Sequence, residues 1–207
     1  MKKVKLCGLT RPEDVQAVNR LRPDYCGFVI NYPKSHRSLS IEQLRRLRDR
    51  LAAGITPVGV FVDQPVEQVA TLLELGVIWV AQLHGEEDGT YVARLRRMTS
   101  RPIWQAFQIR SAEDVKRAAA SAADFVLLDA GQGSGQSFSW DLLEGFPRPF
   151  GLAGGLNETN LSAALETQAQ LLDVSGGVET DGQKDPEKME RFVAQVRAWG
   201  RDEETEE

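Results

Sequence analysis

Two apolar runs in this 207-residue chain end on a reactive side chain. Lys5-Leu6-Cys7-Gly8-Leu9-Thr10 reaches a thiol, and Phe125-Val126-Leu127-Leu128-Asp129 reaches a carboxyl group. A thiolate can take a proton and a carboxylic acid can give one, so the two form a base and acid pair if both strand ends face one pocket. A buried structural thiol is the alternative for Cys7, since free cysteine packs well in cores.

Other strand ends add binding groups. Asn31 to Arg37 is a long loop carrying Lys34, His36 and Arg37. The guanidinium fork suits a carboxylate or phosphate, whereas Lys34 also fits a solvated basic loop. Gln82 and His84 share a face by strand alternation. His84 then lines the pocket or is a satisfied structural histidine. Asp63, just before Pro65-Val66-Glu67, is expected to cap a helix. Beyond Asp129 the next helical pattern starts about ten residues later, which weakens a capping role. The intervening segment, with Gly133, Ser134 and Gly135, is expected to cover a substrate. Glycine pairs follow two later runs, Gly154-Gly155 and Gly176-Gly177. Paired glycines let backbone amides approach an anion. Two such pairs point to a phosphorylated ligand, with ordinary tight turns as the alternative.

The elements that must hold these groups repeat regularly. Apolar runs span Val4 to Cys7, Tyr25 to Ile30, Pro57 to Val62, Ile78 to Leu83, Ile103 to Phe107, Phe125 to Asp129, Phe150 to Ala153 and Leu171 to Val174. They are too short for helices and suit strands buried on both faces. Helical patterns start at Pro12, after Ser40, and near Pro65, Asp88, Ser111, Trp140, Thr159 and Pro186. Ser40-Ile41-Glu42-Gln43 approximates a capping box. Leu44, Leu47 and Leu51 form the stripe of that helix, which Gly54 should stop. The Trp140 helix looks short, and the last should end before Gly200. Eight strand–helix repeats predict a single-domain (β/α)8 barrel over residues 1–200, with an acidic, frayed tail over 201–207. An open doubly wound sheet is the alternative. In a barrel the chemistry sits at the C-terminal strand ends, and the loops after strands 7 and 8 recurrently bind phosphate.

Composition narrows the function classes. The chain is 42% hydrophobic and 27% charged, ordinary for a globular protein. A net charge of −5 gives no footprint for nucleic acid or acidic membranes. No stretch of about 18 apolar residues predicts a membrane span, and no signal-peptide pattern opens the chain. The expected location is the cytoplasm. Only Cys7 and Cys26 are present, and a disulfide is not expected. An offset of roughly four residues between parallel neighbours would part them by about 13 Å, against a limit of about 7 Å. No convincing metal-ligand spacing occurs. A Cys7, His36, His84 zinc cluster is a remote alternative. Neither a dinucleotide fingerprint nor a P-loop lysine is present.

Taken together, these segments resemble the phosphoribosylanthranilate isomerase family. The resemblance runs from Lys5-Leu6-Cys7-Gly8-Leu9-Thr10 through Gln82-Leu83-His84-Gly85, Leu127-Leu128-Asp129, Gly133-Ser134-Gly135, Leu152-Ala153-Gly154-Gly155-Leu156 and Asp173-Val174-Ser175 to Gly182-Gln183-Lys184-Asp185. It implies an Amadori rearrangement of a phosphoribosyl aminoaldose in tryptophan biosynthesis, without a cofactor. It further implies Cys7 as general base and Asp129 as general acid. Arg37 would contact the anthranilate part, with the Asp173 carboxylate nearby. The phosphate would lie on the amides of Gly154, Gly155, Ser175 and Gly176. The partner is a phosphorylated small molecule, and association with other enzymes of the pathway stays open. Ser35-His36-Arg37 stands where the family has Ser-Pro-Arg, Ser175-Gly176-Gly177 where it has Ser-Ser-Gly, and Gln136 where a lysine often follows. Two other readings compete: the related isomerisation in histidine biosynthesis, and a noncatalytic phosphate-ligand binder.

Overall fold

Continuous apolar runs hide both faces if helices cover one side and either a closed interior or a second helix layer covers the other. A computed structural model describes residues 1–129 and 140–202 of the chain and shows the closed arrangement. The strands are β1 (Lys3–Cys7), β2 (Tyr25–Ile30), β3 (Thr56–Phe61), β4 (Val80–Leu83), β5 (Ile103–Gln108), β6 (Phe125–Asp129), β7 (Phe150–Ala153) and β8 (Leu171–Val174). Each pairs in parallel with its sequence neighbour, and β1 pairs with both β2 and β8, so the sheet closes. The closed barrel removes the open-sheet alternative. A two-residue piece, Ser38–Leu39, adds to the upper end of β2.

Seven α-helices follow among the described residues: α1 (Pro12–Leu21), α2 (Ile41–Arg48), α3 (Val66–Glu74), α4 (Gly89–Arg96), α5 (Ala112–Ala119), α6 (Leu161–Glu166) and α7 (Pro186–Asp202). The sixth connection has a single 3-10 turn at Trp140–Leu143. Ser40 caps α2 through a full capping box, and Asp88 and Ser111 cap α4 and α5. Two expected helix ends differ. α2 stops at Arg48, well before Gly54, because its last carbonyls are taken up by a turn through Arg50 and Leu51. α7 continues past Trp199 to Asp202. Its stripe of Met189, Phe192, Val193 and Val196 is almost wholly buried. At ~1.5–3 kcal/mol per buried side chain, that seam outweighs a weak terminal glycine signal.

Alternation sorts the strand residues. Outward ones, such as Leu6, Cys26, Phe28 and Leu128, join the helices in one large core. Inward ones, including Val58, Val80, Trp104 and Leu127, fill the barrel. Tyr25, Trp104 and Phe125 stack edge-to-face and tilted in its lower half, with centroids 4.8 and 5.2 Å apart. Polar inward residues are thereby confined to the upper end.

Barrel stagger also corrects the spacing of the two cysteines. Leu6 pairs with Cys26 and Cys7 with Gly27, so Cys7 lies one step along from Cys26 rather than four residues away. The shear of a closed barrel brings the strand ends level. Both thiols are nevertheless free. Opposite parity is the reason, since Cys7 faces the interior and Cys26 the helix layer.

Candidate active site

The upper barrel end holds a cavity of about 530 Å³. Cys7, Arg37, His84, Asp129, Gly154, Gly155, Asp173, Ser175 and Gly176 all line it. The structure thus gathers these residues into one cavity, whereas Lys34 and His36, in the loop of Arg37, do not line it. Gly133, Ser134 and Gly135, expected as the cover, fall outside the described residues. A larger cleft of about 710 Å³ lies beside α4 and α5 on the outer wall, and of these residues it touches only His84.

Cys7 and Asp129 sit on strands three places apart around the barrel. Cys7 is almost wholly buried. Burial pushes its thiol up from the ordinary range, while Lys5 and Lys184 pull it down and Asp173 adds to the rise. Burial thus favours the neutral thiol, and the two ammonium groups favour the thiolate. Gly27 faces it from β2, and a Cβ there would come within 2.6 Å of the sulfur. Asp129 Oδ2 is 3.3 Å from His84 Nε2. His84 Nδ1 in turn meets Gln82 Nε2 at 3.4 Å. His84 accordingly belongs to the acid's surroundings.

Arg37 arrives from a compact turn in which Tyr32 N donates to Ser38 Oγ and Ser35 N to Tyr32 O. Its side chain lies across Gly8, where an added Cβ would be 2.4 Å from Arg37 Cδ. Gly8 also has a φ of 80°, so a larger residue would be strained as well as crowded. The guanidinium makes two bonds to Glu179, of 2.7 and 2.6 Å. Lys184 Nζ reaches the same carboxylate at 2.5 Å and Ser175 O at 3.1 Å. Burial works against the charge on Glu179, but the Arg37 and Lys184 bonds hold its pKa down to about 2. Two cations around one anion leave this edge of the cavity positive, which suits an anionic ligand.

The glycine loops abut each other. A Cβ on Gly177 would lie 1.9 Å from Leu156 O, so the loop after β8 rests directly on the loop after β7. Ser175 Oγ donates to Cys7 O at 3.0 Å, joining this cradle to the thiol's strand. Among the described residues, Asp173 Oδ1 and Gln82 Oε1 are buried without hydrogen-bond partners. Both belong to residues lining the cavity, and such unsatisfied acceptors are expected where a ligand supplies donors.

Asp63 is a correction. Pro65 occupies the cap position of α3, without a side-chain cap bond. Asp63 instead has a φ of 51° and accepts from Glu86 N at 2.7 Å, tying the β3 loop to the β4 loop. Sequence reasoning also passed over Lys5, Glu179 and Lys184. Lys5 was legible from its parity with Cys7, whereas the pairing of Glu179 with Arg37 spans 142 positions and left no local signal.

Among the described residues no group of three His, Cys, Asp or Glu side chains could hold a metal ion. No described helix is long and apolar enough to cross a membrane.

Comparison with known proteins gives one consistent result. The family model for N-(5′-phosphoribosyl)anthranilate isomerase matches residues 4–195. The protein of that name from Clostridium kluyveri is 40% identical over 201 residues, covering 95% of this chain and 98% of the relative. The structure of phosphoribosyl anthranilate isomerase from Thermotoga maritima superposes with a TM-score of 0.86 at 31% identity, covering 96% of this chain and all of that one. A phosphoribosyl anthranilate isomerase bound to reduced 1-(o-carboxyphenylamino)-1-deoxyribulose 5-phosphate has a TM-score of 0.84 at 30% identity, again covering 96% of this chain and 100% of the other.

Proposed function

The chain belongs to the N-(5′-phosphoribosyl)anthranilate isomerase family, and on that premise we propose that Cys7 and Asp129 divide the proton transfers of its reaction. The enzyme interconverts an aldose and a ketose in tryptophan biosynthesis. N-(5-phosphoribosyl)anthranilate undergoes an Amadori rearrangement to 1-(2-carboxyphenylamino)-1-deoxyribulose 5-phosphate.

Asp129, as the acid, protonates the ribose ring oxygen, and the C1–O bond breaks to leave a Schiff base. Cys7, as thiolate, takes the proton from C2. The C–H electron pair becomes the C1–C2 double bond, and the imine π pair returns to nitrogen. The enolamine then tautomerises, its C2 hydroxyl proton leaving as C1 gains one. One proton must afterwards pass from Cys7 to Asp129, through solvent, to reset the enzyme. The substrate's own imine is the electron sink, so these steps call on no cofactor.

Binding follows the charge layout. Arg37 and the positive edge it shares with Lys184 face the anthranilate carboxylate. Asp173 Oδ1 offers an acceptor beside it. His84 orients Asp129. The phosphate lies on the amides of Gly154, Gly155, Ser175 and Gly176. The carrying observation is that thiol, carboxyl and both glycine loops line one cavity. Turnover is followed by loss of the substrate's anthranilate fluorescence. Cys7→Ala and Asp129→Asn should each remove most of it with unfolding temperatures unchanged. Near-wild-type turnover in either variant would sink the acid–base assignment.

A further inference from the structure

Lys5 has no solvent exposure at all, although it carries a charge. Strand alternation points it into the barrel two residues below Cys7. Both side chains occupy the notch that Gly27 leaves open. A Cβ there would lie 2.6 Å from Cys7 Sγ and 3.1 Å from Lys5 Cε. The ammonium donates to Asp173 Oδ2 at 2.8 Å, in register across the β1–β8 pair. Lys5 and Cys7 interact electrostatically, each favouring the other's charged form.

Stability does not explain this lysine. Desolvating an ammonium and a carboxylate is costly, and a well-packed apolar side chain often serves a core equally well or better. The buried ammonium does have a use beside a group that must become an anion. A thiolate formed away from water needs a counter-ion within contact distance.

On the reading of Cys7 as the base, we propose that Lys5 is a positioning residue: its ammonium, fixed by Asp173, is the counter-ion of the Cys7 thiolate. Ionisation releases the Cys7 proton to water and leaves Lys5 fully protonated. The sulfur's electron pair then forms the new S–H bond when the C2 proton transfers. Asp173 restrains the same equilibrium, because a carboxylate nearby disfavours a second anion. The other charged groups facing Cys7 are Arg37 after β2 and Lys184 beyond β8, with His84 and Asp129 across the cavity. None of them is altered in the test.

The test is the pH dependence of Cys7 alkylation by iodoacetamide in the full chain, read by mass on the Cys7 peptide, alongside pH profiles of kcat and KM. Lys5→Met should raise the alkylation midpoint by at least about one pH unit, roughly tenfold less thiolate at fixed pH. Its kcat should fall about tenfold near neutrality and recover as pH rises. Asp173→Asn should lower the midpoint. Loosened packing would move both variants the same way, so opposite signs support the proposal. Unchanged midpoints, or shifts of the same sign, overturn it. Should Lys5→Met fail to fold by circular dichroism, Asp173→Asn decides alone, and a midpoint that does not fall overturns the proposal. Turnover retained in Cys7→Ala would remove the base reading and this proposal together. A dead Cys7→Ala with unchanged midpoints would remove this proposal only.

Discussion

Gly177→Ala is the sharpest perturbation of the proposed phosphate cradle. Gly177 does not have a left-handed φ, so alanine is compatible with its backbone. The obstacle is steric. The added Cβ would sit 1.9 Å from Leu156 O and 2.8 Å from Asn157 Cα, both backbone atoms that no rotamer can move. Ordinary contact begins at 3.4 Å, so the loops after β7 and β8 must part by about 1.5 Å. Overpacking of this kind costs ~1–3 kcal/mol. A chain of this size loses about 2–4 °C of Tm per kcal/mol, so Tm should fall by ~2–12 °C. The same displacement splits the amides proposed to hold the phosphate, and misplacement by ~1 Å can cost ~100-fold. We expect kcat/KM, from the fluorescence assay, to fall 10- to 100-fold by order of magnitude, with most of the loss in KM. Gly89→Ala, at the start of α4 and away from the cradle, is the control, because no described atom lies within 4 Å of its Cβ. It should keep Tm and kcat/KM near wild type. Equal behaviour of the two variants would refute the claim that loop-on-loop contact sets the cradle.

Two further predictions concern the same rim. Glu179, held down from 4.5 to about 2 by its bonds to Arg37 and Lys184 despite the opposing effect of burial, stabilises the fold by roughly 3 kcal/mol at most, at ~1.36 kcal/mol per pH unit. That contribution is complete above the unfolded pKa and lost as pH falls through the folded one. The urea-denaturation gap between wild type and Glu179→Gln should therefore be widest above pH 4.5 and close toward pH 2; a gap constant with pH would contradict the pairing. Gly27→Ala should push the Cys7 sulfur from its place, since its Cβ would lie 2.6 Å away. It should lower kcat at least tenfold at a Tm cost of no more than ~1–3 kcal/mol equivalent, and an unchanged kcat would show that Gly27 does not fix the thiol.

The strands were legible because each is a short apolar run with a hard boundary. Tyr25–Ile30, Phe125–Asp129, Phe150–Ala153 and Leu171–Val174 coincide with the runs read from sequence. The helix starts at Ser40, Asp88 and Ser111 were legible because a cap is a local bond between neighbours. Helix ends were less so, as α7 shows: burial of Phe192 and Val196 carries the helix beyond its local stop. Asp63 misled for a related reason. Its carboxylate has a local use as a cap and a distant one in the β4 loop, and the distant one wins, 23 positions along the chain.

The site divides along the same line. The rim positions of Cys7 and Asp129 could be read because each ends a strand and strand ends define the rim. Their surroundings could not, because they are made by contacts between strands. Lys5 meets Asp173 across 168 positions, and Arg37 meets Glu179 across 142. Which residues align depends on barrel stagger, and that is also what defeated the 13 Å estimate for the cysteines. Parity survives the stagger. Within β1, alternation alone places a lysine behind the thiol whatever the register. The proposed acid and base need opposite environments in one small cavity. Here the thiol is the deeper of the two and has a buried ammonium at its back, while Asp129 lies nearer the opening beside a half-exposed imidazole. A barrel can sustain that contrast because each group stands on its own strand, and the layer beneath each is chosen by that strand's own alternation.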